Sequence, residues 1–350
     1  MPVTLSKQTA RRYVLGRQGL WPGRRWQALA GTEQALRTCE CVQIDTISAV
    51  ARSHDLHLAG RVEGYDPAML DRLMYTDRLF FDFGNILMVY PGDEMPYWRA
   101  VMRRHRDRVN AEMKERLPVI EHVRSEIAAR GPLASRDFAG RERVPGGFNT
   151  VKDTAIALYL LWLAGEIATH SRRGFDRVYD LSHNLPIAAG NGETAGDAEA
   201  QSFFGRKAMR DLGLATGTEW WRRMRVYLSR SPDLAAAKSM AKMTDDGFLA
   251  PVELEGERSP RWGYYTLPIL WGDKLVARFA PRLNRKTQTL TVEGFWLEQA
   301  DLAADPGFKA ALTAGMHRFC AFHKAQALNP GDMRTLLGPN FTPTYDLGAQ

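Results

Sequence analysis

Along most of the first 250 residues apolar positions recur every three or four residues, the spacing of a helix with one buried face; beyond Ala250 they alternate, as in a strand. Residues 5–20 read as a helix capped by Ser6, with Ala10, Tyr13 and Val14 on one face. Residues 26–39 repeat the pattern with Trp26, Leu29 and Leu36. Residues 67–79 read as a short helix opened by Asp66-Pro67 in cap and first-turn positions. The apolar run 79–90 reads as paired strands turning at Gly84-Asn85. It is followed by a helix carrying Arg99, Arg103, Arg104, Arg106 and Arg108.

A clearer unit comes next. Residues 118–130 form a helix ended by Gly131-Pro132, Ser135 starts a second, and 151–164 form a strongly apolar third closed by Gly165. A hairpin with the polar tip Ser171-Arg172-Arg173-Gly174 follows. Three helices and a basic hairpin are the winged-helix pattern, in which the third helix enters the major groove and the hairpin brushes the backbone. Here the third helix is short of base-reading groups, so packing is expected of it. Residues 186–199 read as a linker. Residues 200–250 read as a third helical unit of the same kind, with Phe203, Met209, Leu212 and Leu214 inward and a buried corner at Trp220-Trp221. Strands are expected at 264–270, 275–279 and 287–295 with a turn at Gly272-Asp273, then a helix from Asp305-Pro306 to about Ala327. The tail from Asn329 reads as loosely held. The expected class is α+β: tandem winged-helix (helix-turn-helix) units, then a small β-barrel or meander with a C-terminal helix. The expected boundaries are 1–115, 116–185, 186–249 and 250–350.

Charge changes the picture. A net +7 over 350 residues tilts the chain toward anionic partners, nucleic acid first. The three cysteines, Cys39, Cys41 and Cys320, are too few for a disulfide framework and point to a reducing compartment. No apolar run has signal-peptide or membrane-span length, so a cytoplasmic, chromosome-accessible protein with no membrane contact is expected. His54 and His57 could share a helical face, but no third ligand stands at metal spacing, and no phosphate-cradling or dinucleotide glycine motif occurs. Neither metal nor cofactor is expected.

The densest chemistry lies in Val42-Gln43-Ile44-Asp45-Thr46-Ile47-Ser48. In an extended backbone Gln43 and Asp45 share a face and Ile44 takes the other. That aims an amide and a general base at one space. Asp45 before Thr-Ile-Ser is also a good helix N-cap, and Gln43 could equally be a surface amide; spacing alone leaves these readings open.

With Arg61 through Pro67 (RVEGYDP) and Leu70-Asp71-Arg72-Leu73, the run QIDTISAVARSH resembles the YcaQ/AlkZ-type winged-helix DNA glycosylases. The resemblance extends from Leu5 to about Glu298 and is densest between Val42 and Asp71. Their mark is a glutamine, an apolar residue, then glutamine or aspartate, and Gln43-Ile44-Asp45 is the aspartate form. The resemblance implies a glycosylase releasing cationic alkylated purines, bulky or crosslinked adducts included, with Asp45 activating a water that Gln43 holds; with no lysine nucleophile next to the motif, a monofunctional reaction is expected. It also implies damaged or crosslinked double-stranded DNA as the partner of a monomer. Expected DNA contacts are Arg52 and His54 beside the motif, Arg172 and Arg173 on the wing, and Arg282, Arg285 and Lys286 between two C-terminal strands; for any one, a solvated surface charge is the alternative. The chain departs from the family where Phe81–Leu87 lacks a histidine and where Ala280 and Asn284 stand in place of carboxylates, which bears on substrate range. The competing reading is a non-catalytic winged-helix transcriptional regulator, which would bind one sequence far more tightly than bulk DNA.

Overall fold

The computed structural model describes residues 3–45, 47–138, 143–146, 149–186, 193–229, 236–254 and 266–338. It is a mixed α/β fold of helices and several small sheets, divided into two compact units. The first comprises Met1–Trp26, Asp45–Gly64 and Pro251–Gln350; the second comprises Gln27–Ile44 and Tyr65–Ala250.

In the second unit, helix Ala28–Thr38 leads into strand Val42–Gln43, which pairs antiparallel with strand Met88–Pro91; that strand in turn pairs with Phe80–Phe83. The hairpin turn falls at Gly84 (φ 102°), a backbone region that favours glycine. Helix Met95–Glu115 carries the arginine-rich stretch, and part of it is held within the unit. Arg103 meets Asp197 at 2.6 Å and Arg104 meets it at 3.4 Å, while Arg106 donates to the Ala164 carbonyl at 2.9 Å. On its opposite face Trp98 is buried against Tyr90 (ring centroids 4.0 Å) and Phe204 (4.7 Å), forming an aromatic core with Tyr227 and Phe83.

Helix Leu117–Arg130, strand Leu133–Ala134, a single 3-10 turn Ser135–Asp137, helix Asp153–Leu163 and the hairpin Ile167–Arg173/Asp176–Leu181 follow in order. The short strand pairs with the hairpin's second strand, making a three-stranded sheet. The helix expected from Ser135 is only this one turn, because Phe138 returns to extended backbone (φ −83°, ψ 129°); the Asp137 carboxylate accepts from the Ala134 amide at 2.8 Å and from Arg173 at 2.7 Å. Helix Asp153–Leu163 is buried along Ala157, Leu158, Leu160, Leu161, Trp162 and Leu163, as its uniformly apolar sequence predicts. Helices Asp197–Leu212, Gly217–Leu228 and Ala236–Asp245 complete the unit, with no strand pair among their described residues. Trp220 is buried as expected, but Phe204 rather than Phe203 occupies the core; Phe203 stacks on Tyr97 at 3.9 Å.

In the first unit, helix Lys7–Arg17 is capped by Ser6, whose hydroxyl accepts from the Thr9 amide. Tyr13, expected on its inner face, is exposed. Strands Leu267–Trp271, Lys274–Asn284 and Thr289–Leu297 form an antiparallel meander, and Ala327–Asn329 adds a parallel fourth strand. Among the described residues this sheet is open, so the barrel alternative is corrected to a meander. Helix Pro306–Phe322 covers one face with Phe308, Leu312, Met316 and Cys320. It ends five residues short of the expected Ala327, because the chain turns at Lys324 (φ 53°) to enter the fourth strand. The tail read as loose instead carries helix Asp332–Leu337, whose Met333 and Leu337 complete the core beside Val292 and Leu290. The residues expected to open the first C-terminal strand, 264 and 265, and the tail beyond Gly338 lie outside the described residues.

Candidate active site

Burial alternates residue by residue through the motif: Val42 is buried, Gln43 exposed, Ile44 buried and Asp45 half-exposed. Backbone pairing imposes this. Val42 and Gln43 sit opposite Val89 and Met88, and the Ile44 amide donates to the Leu87 carbonyl at 2.9 Å. Asp45 is not the cap of an α-helix: its Oδ1 accepts from the Ile47 amide at 2.9 Å in a local turn, and the next helix, Ser53–Ala59, has Arg52 in its N-cap position.

In the first unit Asp45 lines a recess of about 130 Å³ with Ile47, Val50, Leu56, Leu267 and Pro281. Its other walls are almost wholly apolar, so a charge on this carboxylate acts with little competition from neighbouring dipoles. Three residues after Asp45, the Ser48 hydroxyl accepts from Arg285 Nη2 at 2.7 Å and the Ser48 carbonyl accepts from it at 3.1 Å. This ties the loop between the second and third meander strands to the segment that follows the motif.

In the second unit the residue before Cys41 is Glu40, held in left-handed backbone geometry (φ 62°). Lys207, with no exposed side-chain surface, donates to the Glu40 carbonyl at 2.6 Å, to Glu40 Oε2 at 3.0 Å and to Glu94 Oε1 at 2.6 Å. Arg210 meets Glu40 Oε1 at 2.5 Å, and the Trp98 indole donates to Glu94 at 3.2 Å. Burial pulls the Lys207 pKa down, but Glu94 and Glu40 together hold it above the ordinary lysine value. Beside this cluster the Tyr227 hydroxyl donates to Asp211 at 2.8 Å, and Arg223 meets the same carboxylate at 2.9 Å. Burial, then Asp211, pushes the Cys41 thiol up to about 12, so Cys41 is an inert packing group, as its spacing from Cys39 suggests. Sequence reasoning missed this ionic cluster. Glu40 and Lys207 lie 167 positions apart, and the one local signal was a lysine among the apolar positions of helix Asp197–Leu212.

The expected DNA-facing cations fall into two groups. Arg282, Arg285 and Lys286 are exposed, with Arg282 bridging to Glu293 at 3.1 Å. Arg173 is about half exposed and forms a two-pronged pair with Asp137. Arg52 is half-buried at the start of helix Ser53–Ala59. Two others turn inward. His54 is 4% exposed and lies 3.8 Å from the Asp55 carboxylate. Arg172 runs inward from the hairpin, donating to Asp82 at 2.6 Å and to the Tyr75 hydroxyl at 2.8 Å, while Thr169 also donates to Asp82. With Asp82 fully covered, Arg172 neutralises a buried carboxylate and anchors the tip end of the hairpin.

His57 shares the helix of His54. Burial, and then the charge of Arg61, push it down to about 3. Its folded pKa lies below the ordinary 6.5, so between these values the unfolded chain binds the proton and the folded one does not. Stability from this group is therefore full above pH 6.5 and lost as pH falls, by about 1.4 kcal/mol per pH unit. Denaturant titrations of wild type and His57→Asn across this window should show the extra slope in wild type alone. Identical pH slopes would refute the assignment.

Among the described residues no helix is long and apolar enough to cross a membrane. A family model for AlkZ-like DNA glycosylases matches residues 36–267. The fold is similar to that of the DNA glycosylase AlkZ of Streptomyces sahachiroi, with a TM-score of 0.60, 15% sequence identity, and coverage of 93% of this chain and 99% of that one. Since the matched family segment takes in the Gln43-Ile44-Asp45 motif and most of the second unit, the chain belongs to the AlkZ-like DNA glycosylase family and is a DNA glycosylase.

Proposed function

We propose that this glycosylase hydrolyses the N-glycosidic bond of cationic alkylated purines in double-stranded DNA, bulky and interstrand-crosslinked adducts included. The reading rests on one observation: an exposed amide and a half-exposed carboxylate alternate with buried apolar residues, and the carboxylate lines an apolar recess.

A purine alkylated at N7 carries a positive charge and departs without protonation. The glycosidic pair of electrons moves onto the base and neutralises it, leaving an oxocarbenium-like sugar. Asp45 stabilises that cation and accepts a proton as water oxygen bonds to C1′; Gln43 holds the water. Lys207, which grips Glu40, has no exposed surface and two carboxylate partners, so it is no amine nucleophile. No lysine stands between Lys7 and Lys114, so none neighbours the motif along the chain, and the reaction is read as monofunctional, leaving an abasic site.

The segment from Leu117 to Leu181 acts as a winged helix whose hairpin approaches the DNA backbone. Arg173, Arg282, Arg285, Lys286 and Arg52 supply the grip, and burial removes His54 and Arg172 from that role. The protein works as a monomer at the nucleoid. Incubation with duplex containing N7-methylguanine or a nitrogen-mustard crosslink, followed by alkali, should yield strand breaks only after the alkali step. Breaks before alkali, or a borohydride-stable protein–DNA adduct, would refute the monofunctional chemistry.

A further inference from the structure

On helix Gly217–Leu228, Arg222 and Arg225 stand three residues apart on one exposed face, the spacing at which like charges repel. Neither has a carboxylate partner among the described residues, whereas Arg223 on the same helix is paired with Asp211 at 2.9 Å. The Arg225 guanidinium lies 5.0 Å from the Trp221 ring centroid, which limits its freedom. Its last-turn position also suits the negative end of the helix dipole, but that benefit does not reach back to Arg222. The two arginines, with Val226, Ser229, Asn85 and Ile86, line a bay of about 370 Å³.

The bay is built onto the motif strand's own hairpin. Asn85 and Ile86 form the turn before strand Met88–Pro91, the strand that pairs with Val42–Gln43. The Tyr159 hydroxyl donates to Asn85 Oδ1 at 3.2 Å, which leaves the amide's Nδ2 protons as donors. Ile86 is 45% exposed, an apolar group among donors. Two unneutralised guanidinium groups, an amide donor and an apolar knob match the phosphates and sugar edge of a nucleic-acid strand.

We propose that this bay seats backbone phosphates of the DNA strand beside Gln43, with Arg222 and Arg225 as the phosphate ligands. The proposal rests on the glycosylase reading above and adds a binding site to it. The test is a fluorescence-anisotropy titration of a short undamaged duplex over a salt series, using the full chain. In Arg222→Gln/Arg225→Gln the log–log salt dependence should be shallower by about 0.9 unit for each phosphate no longer neutralised, and Arg222→Lys/Arg225→Lys should restore most of it. An unchanged slope in the glutamine variant, with wild type binding and excising normally, would overturn the bay alone. Failure of wild type to bind duplex at any salt would sink the glycosylase reading as well. Independently of any variant, phenylglyoxal labelling of wild type should modify Arg222 and Arg225 less when duplex is bound; equal labelling would overturn the proposal.

Discussion

Asp45→Asn binds alkylated duplex with nearly wild-type affinity and excises the base about 10²–10⁴-fold more slowly, the range for loss of a positioned general base. The substitution is conservative where the structure needs it to be. Among the described residues the side chain supports the fold through Oδ1, which accepts from the Ile47 amide, and asparagine retains that acceptor. What it removes is the negative charge in the recess with Ile47, Val50, Leu56, Leu267 and Pro281. With the local turn kept, a fall in activity reports the charge and not the conformation. Single-turnover excision of N7-methylguanine beside anisotropy with the same duplex separates the two. Wild-type rates in the variant would remove Asp45 from the chemistry; weakened binding with an unchanged single-turnover rate would recast it as a DNA-binding group.

Lys207→Met should lower stability by about 3–5 kcal/mol, because Glu94 then remains buried with no cation beside it and Glu40 keeps only Arg210. The melting temperature should fall by on the order of 10 °C. The loss comes from stranded charge and not from a missing methylene stem, since methionine fills similar volume. Adding Glu40→Gln and Glu94→Gln should therefore recover much of it, because the buried ammonium and both carboxylates are then removed together and the partly exposed Arg210 reaches water. A Lys207→Met protein melting with wild type would show that the cluster contributes nothing. A triple variant no better than the single one would show that packing, not charge, had been disturbed.

Both expectations depend on features of very different legibility in the order of residues. Period-two alternation at 42–45 was legible because a strand's side chains take opposite faces whatever surrounds it, and the structure keeps that alternation. The caps at Ser6, Asp66 and Asp305 were legible for the same reason: each binds an amide two or three residues on. Illegible features depend on partners far along the chain. Nothing near Arg172 announces that Asp82, 90 positions earlier, will draw it inward. The tail looked loose for its prolines and glycines, yet Met333 finds a place beneath the meander.

Sequence alone determined the local periodicities, the helix starts, the basic balance and the side-chain types on offer for chemistry, because these follow from backbone geometry and residue identity. Tertiary structure decided which charges remain available. Burial stabilises a charge only beside its opposite, so packing drew Arg172 and Lys207 into the interior and left Arg222 and Arg225 at the surface. Which arginine meets a carboxylate is set by long-range packing that no local pattern encodes.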